Sequence, residues 1–173
     1  MARTFKRRRD GRLVVTLPEE AVLVLRQVTD DLGQMVAARE PGPVTDRMFP
    51  RAYLDPTEEE AEHEWEELVH DDLSRSRTEA LQGLLADLDA AERSKGDRMQ
   101  MVLEKGGEAR WLTALNDARL ALGTLIGVSE DEGPEYPDDD PRAAGAQIYV
   151  FLTALLGDLV EVLLDEAPED GVD

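Results

Sequence analysis

No cysteine occurs anywhere in the 173 residues. Disulfides, thiolate nucleophiles, zinc–thiolate centres and iron–sulfur clusters therefore have no ligands or reactants in this chain. Histidine is nearly absent too, at two residues, His63 and His70, which leaves little imidazole chemistry. Aromatic side chains make up only 5% of the sequence, so a core has to be built from Leu, Val and Ala, the material of helix-on-helix packing. Positive charge is scarce as well: 19 Lys and Arg stand against 39 Asp and Glu, a net charge of -20. Such a field repels nucleic acid over most of a surface, because phosphate contacts need locally dense cations. The longest apolar run, residues 148–156, is short of the roughly 20 residues that span a bilayer. The basic start runs into Asp10-Gly11 where a secretory signal would place its apolar stretch. These features predict a cytoplasmic protein.

What is present is enough to fold. A 42% hydrophobic and 34% charged chain of this length can bury one core beneath a charged surface. Asp10-Gly11, flanked by segments at 4–8 and 12–17, predicts a β-hairpin, with Leu13, Val15 and Leu17 on one face. Pro18-Glu19-Glu20 opens a helix with Ala21, Leu25, Val28, Leu32 and Met35 in line. Pro41-Gly42-Pro43 ends that helix and begins a loop through Arg51. Asp55-Pro56-Thr57-Glu58 is a helix start, with Asp as N-cap and Glu in the capping-box position. The following stripe is Ala61, Trp65, Leu68 and Leu73, and the pattern resumes at Leu81, Leu84, Leu85 and Leu88 after a break near Asp71-Asp72.

Residues 94–97 form a loop and residues 99–103 a candidate third strand. A helix over 108–128 turns Leu112, Leu115, Leu122 and Ile126 inward. A mobile loop rich in Asp, Glu, Gly and Pro follows, and a last helix from 142 carries Ile148, Phe151, Leu152, Leu155, Leu159, Val162 and Leu163 on one wide stripe. The expected organisation is a single α+β domain, predominantly α: hairpin 1–17, helical core 18–128, acidic loop 129–141, C-terminal helix 142–167 and acidic tail 168–173. Its core is bundle-like, with about five helices.

No constellation carries catalysis. There is no Gly-x-Ser-x-Gly and no glycine-rich phosphate loop, and carboxylate pairs mean little among so many acids. His63, Glu66, Glu67 and His70 share a helical face, but a solvated acidic face explains them better than a metal site, and no metal or other cofactor is expected. Arg119 interrupts the inward line of its helix beside Asn116 and Asp117. A guanidinium there needs a carboxylate, which the Glu-rich helix around Trp65 could supply as a brace, and a binding site is the other reading. The stretch Asp46-Arg47-Met48-Phe49-Pro50-Arg51-Ala52-Tyr53 has an interface composition through Arg47, Phe49, Arg51 and Tyr53, or else folds back with Phe49 as a core plug. Lys6, Arg7, Arg8 and Arg9 form a basic arm with Phe5 as the one nearby aromatic. Direct DNA reading is therefore disfavoured, and docking on an acidic protein surface, including a second copy, fits better.

Several of these segments together resemble an actinobacterial family, the AosR-like oxidative-stress transcriptional regulators, formerly a domain of unknown function. They are the hairpin, the stretch from Asp46 to Tyr53, the segment from Glu64-Trp65 through Asp72-Leu73 with Arg77, residues 110–123, and the last helix with Tyr149 and Leu152. The resemblance implies a non-catalytic regulator that contacts the transcription machinery in redox homeostasis. The family's redox-sensing role uses a cysteine pair, which this sequence does not have. The rival readings are a homodimer joined through the last helix and a carboxylate or His63/His70 metal hydrolase.

Overall fold

The computed structural model describes residues 3–129 and 133–165. Its smaller layer is a four-stranded antiparallel sheet in the order β1-β2-β4-β3, formed by β1 (Phe5–Arg7), β2 (Leu13–Pro18), β3 (Glu92–Arg93) and β4 (Arg98–Val102). The hairpin turns where expected, with Gly11 at φ 82°, a conformation glycine adopts without a Cβ penalty. Strand periodicity puts Leu13, Val15 and Leu17 into the core and leaves Val14 and Thr16 facing outward. The candidate third strand is β4, paired along β2 from Val14↔Val102 to Pro18↔Arg98. The two-residue β3 was not foreseen, being too short to show any alternation.

Helix α1 (Glu19–Ala38) begins straight from β2, with Glu19 and Glu20 at its positive dipole end. Its inward line is Val22, Leu25, Thr29, Leu32 and Val36, one position round from the expected face, and Met35 is exposed. The unbroken run Ala21-Val22-Leu23-Val24-Leu25 leaves that phase undetermined by pattern alone. Beyond Arg39, residues expected to be loop form α2 (Pro43–Met48), which buries Val44 and Met48 one turn apart. Pro43 in its first turn has φ pre-set for a helix, but six residues are too few to display a period.

Asp55 caps the next start, its carboxylate accepting from the Thr57 amide at 2.9 Å, and a single 3-10 turn leads into α3 (Glu59–Asp89). The anticipated break at Asp71-Asp72 is absent, and α3 runs for 31 residues. Both aspartates sit on its solvent side, where they take no backbone bond away from the helix. The C-terminal half buries Ala80, Leu81, Leu84 and Leu88, whereas Trp65, Leu68 and Leu73 of the expected inward stripe are exposed.

Helix α4 (Gly107–Ile126) is the central element, packed against α1, α2, α3 and α5. Trp111 is fully buried, donates to Asp87 at 2.9 Å and meets Phe5 edge-on at 6.0 Å, which joins sheet and helices in one core. Leu115 and Ile126 face inward as expected, while Leu112 and Leu122 are only partly covered.

Helix α5 (Ala143–Leu164) buries Ala146, Leu152, Leu155 and Leu159. It is the one helix among the described residues long and apolar enough to cross a membrane by length and composition, a test the shorter run 148–156 did not meet. In the fold its core-facing side packs on α4 and β1. The acidic tail 168–173 and the last expected residues of this helix lie outside the described residues.

Residues 130–132 of the loop expected over 129–141 lie outside the described residues, and the stretch that follows is held by side-chain contacts. Tyr136 donates to the Ile126 carbonyl at 2.6 Å, and the Arg142 guanidinium lies 4.1 Å over its ring. Asp140 accepts from the Arg142 side chain at 2.8 and 3.0 Å and from its amide at 2.8 Å. The side-chain hydrogen bonds and then the backbone one lower the Asp140 pKa from 3.8 to about 2. The folded state favours the ionised form, so this contribution is whole above pH 3.8 and disappears as pH falls through about 2. An NMR titration should place the Asp140 midpoint near 2, and Arg142→Gln should return it toward 3.8.

Candidate functional site

The polar centre of the fold is an ion pair between α3 and α4. Asp117, 3% exposed, accepts from Arg77, whose other terminal nitrogen donates to the Met48 carbonyl at 2.9 Å. The same guanidinium lies 5.5 Å over the Phe49 ring, and His70, two turns earlier on α3, meets that ring edge-on at 4.8 Å. Three segments are thus locked by one arginine. Phe49 is half-buried against the core, packed as a plug between α3 side chains.

The ion pair expected at Arg119 does not form; the brace between these helices is Arg77 of α3 with Asp117 of α4. Arg119 has no carboxylate partner among the described residues and donates to Asn116 Oδ1 at 3.2 Å. Arg77 could have been found by the logic applied to Arg119, since it lies on the line of Leu73, Leu81, Leu84 and Leu88. Glu62 gave no such signal, hidden in a run of glutamates. It is 4% exposed, accepts from the Tyr53 amide at 2.6 Å and approaches Arg51 Nε at 3.7 Å. Arg51 and Tyr53 are thereby held over the start of α3, with Tyr53 and Leu54 exposed beside it.

Around this centre the expected surface residues divide. Asn116 and Asp117 belong to a groove of about 490 Å³ between α3, α4 and α5. Leu73, Leu112, Leu156 and Val160 form its apolar walls, and Arg77 and Asp117 contribute its charge. Trp65 and Leu68 continue α3 away from the groove with 42% and 75% of their surfaces exposed, a costly display of apolar area unless something covers it. Arg47 and Arg119 instead share a second pocket of about 660 Å³ farther along α4, with Tyr149 of α5.

The basic arm lies apart from both. Lys6, Arg7, Arg8 and Arg9 edge a shallow depression on the outer face of the sheet with Val14, Thr16, Gln100 and Val102. Arg8 and Arg12 pair with Asp10 at 3.5 and 2.8 Å, and the Arg12 side-chain hydrogen bond holds the Asp10 carboxyl below its ordinary pKa. Phe5 is buried, so the arm offers no aromatic platform for a base. His63 and His70 do not converge: His63 is exposed beside Glu67 at 3.6 Å, while His70 is engaged with Phe49.

Fold and site define a small helical protein with a four-stranded sheet at one end and an apolar groove braced by a buried ion pair. The chain belongs to the family described as a domain of unknown function, DUF2017, whose model matches residues 2–163. It is also similar to the oxidative stress regulator AosR of Mycobacterium tuberculosis and of Mycobacterium bovis, at 44% identity over 55 residues. That match covers 31% of this chain and 25% of the mycobacterial protein. No solved structure matches.

Proposed function

We propose that this chain is a non-catalytic regulatory adaptor of the stress response, acting in the cytoplasm by contact with a protein of the transcription machinery. The groove between α3, α4 and α5, with the exposed Trp65 and Leu68 leading away from it, is the contact surface. The similarity to proteins named oxidative stress regulators supports the regulatory reading. The observation that carries the contact mode is the exposure of Trp65, Leu68 and Leu73 along one helix beside a largely apolar groove. Such side chains are the usual anchors of interfaces. Without cysteine, the chain's part in the response is recognition and not a thiol switch of its own.

The test is binding of the purified chain to bacterial RNA polymerase core and sigma subunits. Trp65→Ala with Leu68→Asp should keep the helical circular dichroism spectrum, because both positions are exposed, and weaken binding at least tenfold, as loss of a hot spot of about 2 kcal/mol does. Failure of the unaltered chain to bind any of these subunits contradicts the adaptor reading.

A homodimer is a second reading, favoured by Val150, Val160 and Leu164, which α5 leaves exposed. Light scattering that finds a monomer at micromolar concentration removes it.

A further inference from the structure

Some arginines on the helices of this acidic chain have carboxylate partners: Arg26 with Asp89 and Arg75 with Asp72, at 2.8 and 2.9 Å, as well as Arg77 with Asp117. Arg47, Arg110 and Arg119 have no such partner among the described residues, and of these Arg47 and Arg119 share a pocket. Arg119 is more constrained than a surface arginine, since its Nε is buried with no hydrogen-bond partner and its one side-chain bond, to Asn116, orients the guanidinium without neutralising it. With 39 acidic residues available, the unpaired, partly buried Arg119 in a pocket that a second arginine also lines is an arrangement that an anion would relieve.

We propose that the pocket between α2, α4 and α5 binds the phosphate group of a small phosphorylated molecule through Arg47 and Arg119. A phosphate dianion matches the two guanidinium charges, whereas a carboxylate leaves one of them uncompensated, and the planar guanidinium fork suits phosphate oxygens. The pocket's volume of about 660 Å³ far exceeds a phosphate ion and lies in the range of organic ligand sites. Leu120, Val128 and the Tyr149 ring supply an apolar wall for the remainder of such a molecule. That wall depends on Gly123: a Cβ there would stand 2.9 Å from Tyr149 Cε2, so only glycine lets the ring lie against α4. This site goes beyond the adaptor reading and does not use the Trp65 and Leu68 surface.

Calorimetric titration of the full chain with inorganic phosphate, glycerol 3-phosphate and glycerol, at constant ionic strength, tests the assignment. Glycerol 3-phosphate should bind and glycerol should not. Binding of inorganic phosphate as well shows that the headgroup alone suffices. Arg47→Gln and Arg119→Gln should each weaken glycerol 3-phosphate at least tenfold while the circular dichroism spectrum is kept. Should Arg119→Gln fail to fold, Arg47→Gln at its exposed position decides the matter. Absence of binding at millimolar glycerol 3-phosphate overturns the proposal, and so does affinity in Arg47→Gln within threefold of the unaltered chain.

Discussion

Trp111→Ala should destabilise the protein by about 3–5 kcal/mol, the range for removing a large buried aromatic from a packed core. Trp111 has no exposed surface, and it ties the sheet to the helices: Phe5 of the sheet meets its ring edge-on, and Asp87 of α3 takes its indole proton. The alanine variant loses the apolar contact, leaves a cavity and deprives Asp87 of its donor at once. A melting temperature lower by roughly 10 °C or more follows for a chain of this size. Trp111→Phe keeps most of the volume and forfeits mainly the hydrogen bond, so its cost should be nearer about 1 kcal/mol. Urea denaturation of the two variants separates the packing contribution from the polar one.

The second large effect is asymmetric. Arg77→Met leaves Asp117 buried without its counter-ion, which should cost about 3–5 kcal/mol. It also releases the Met48 carbonyl and uncovers Phe49, so α2 should loosen first, visible as faster amide exchange over residues 43–49. The double variant Arg77→Met with Asp117→Leu removes both charges and should be clearly more stable than Arg77→Met alone. If the double variant is instead the less stable of the two, the pair is more than a brace and the polar atoms have a further partner.

The parts of the fold visible in the sequence are those whose pattern repeats often enough to have a phase. The hairpin has alternation plus Asp10-Gly11, and the α5 stripe recurs over several turns. Helix α2 and strand β3 are too short to repeat anything. The stripe through Trp65, Leu68 and Leu73 exposes a deeper limit, because helical spacing tells which side chains share a face but not what covers that face. In α3 nothing in the described chain does. The same limit governs the site. Helical spacing flags Arg119 as a charge on an apolar line and asks for a carboxylate on α3, yet the pair that forms is Arg77 with Asp117. That Asp117 turns toward α3 and meets Arg77, while Arg119 turns away from any carboxylate among the described residues, is set by the rotation of two helices about their axes, a tertiary property. The placing of Arg47 and Arg119 on one pocket has the same origin, as does the burial of Glu62 among otherwise solvated glutamates.

Covering the exposed face of α3 is the role assigned to a partner, and hydrogen–deuterium exchange of the chain alone and in complex with RNA polymerase or its sigma subunit measures it directly. The account predicts new protection along α3 around Trp65 and Leu73, along α4 near Leu112 and along α5 near Leu156 and Val160. Protection confined to the outer face of the sheet, with these helical segments unchanged, contradicts it.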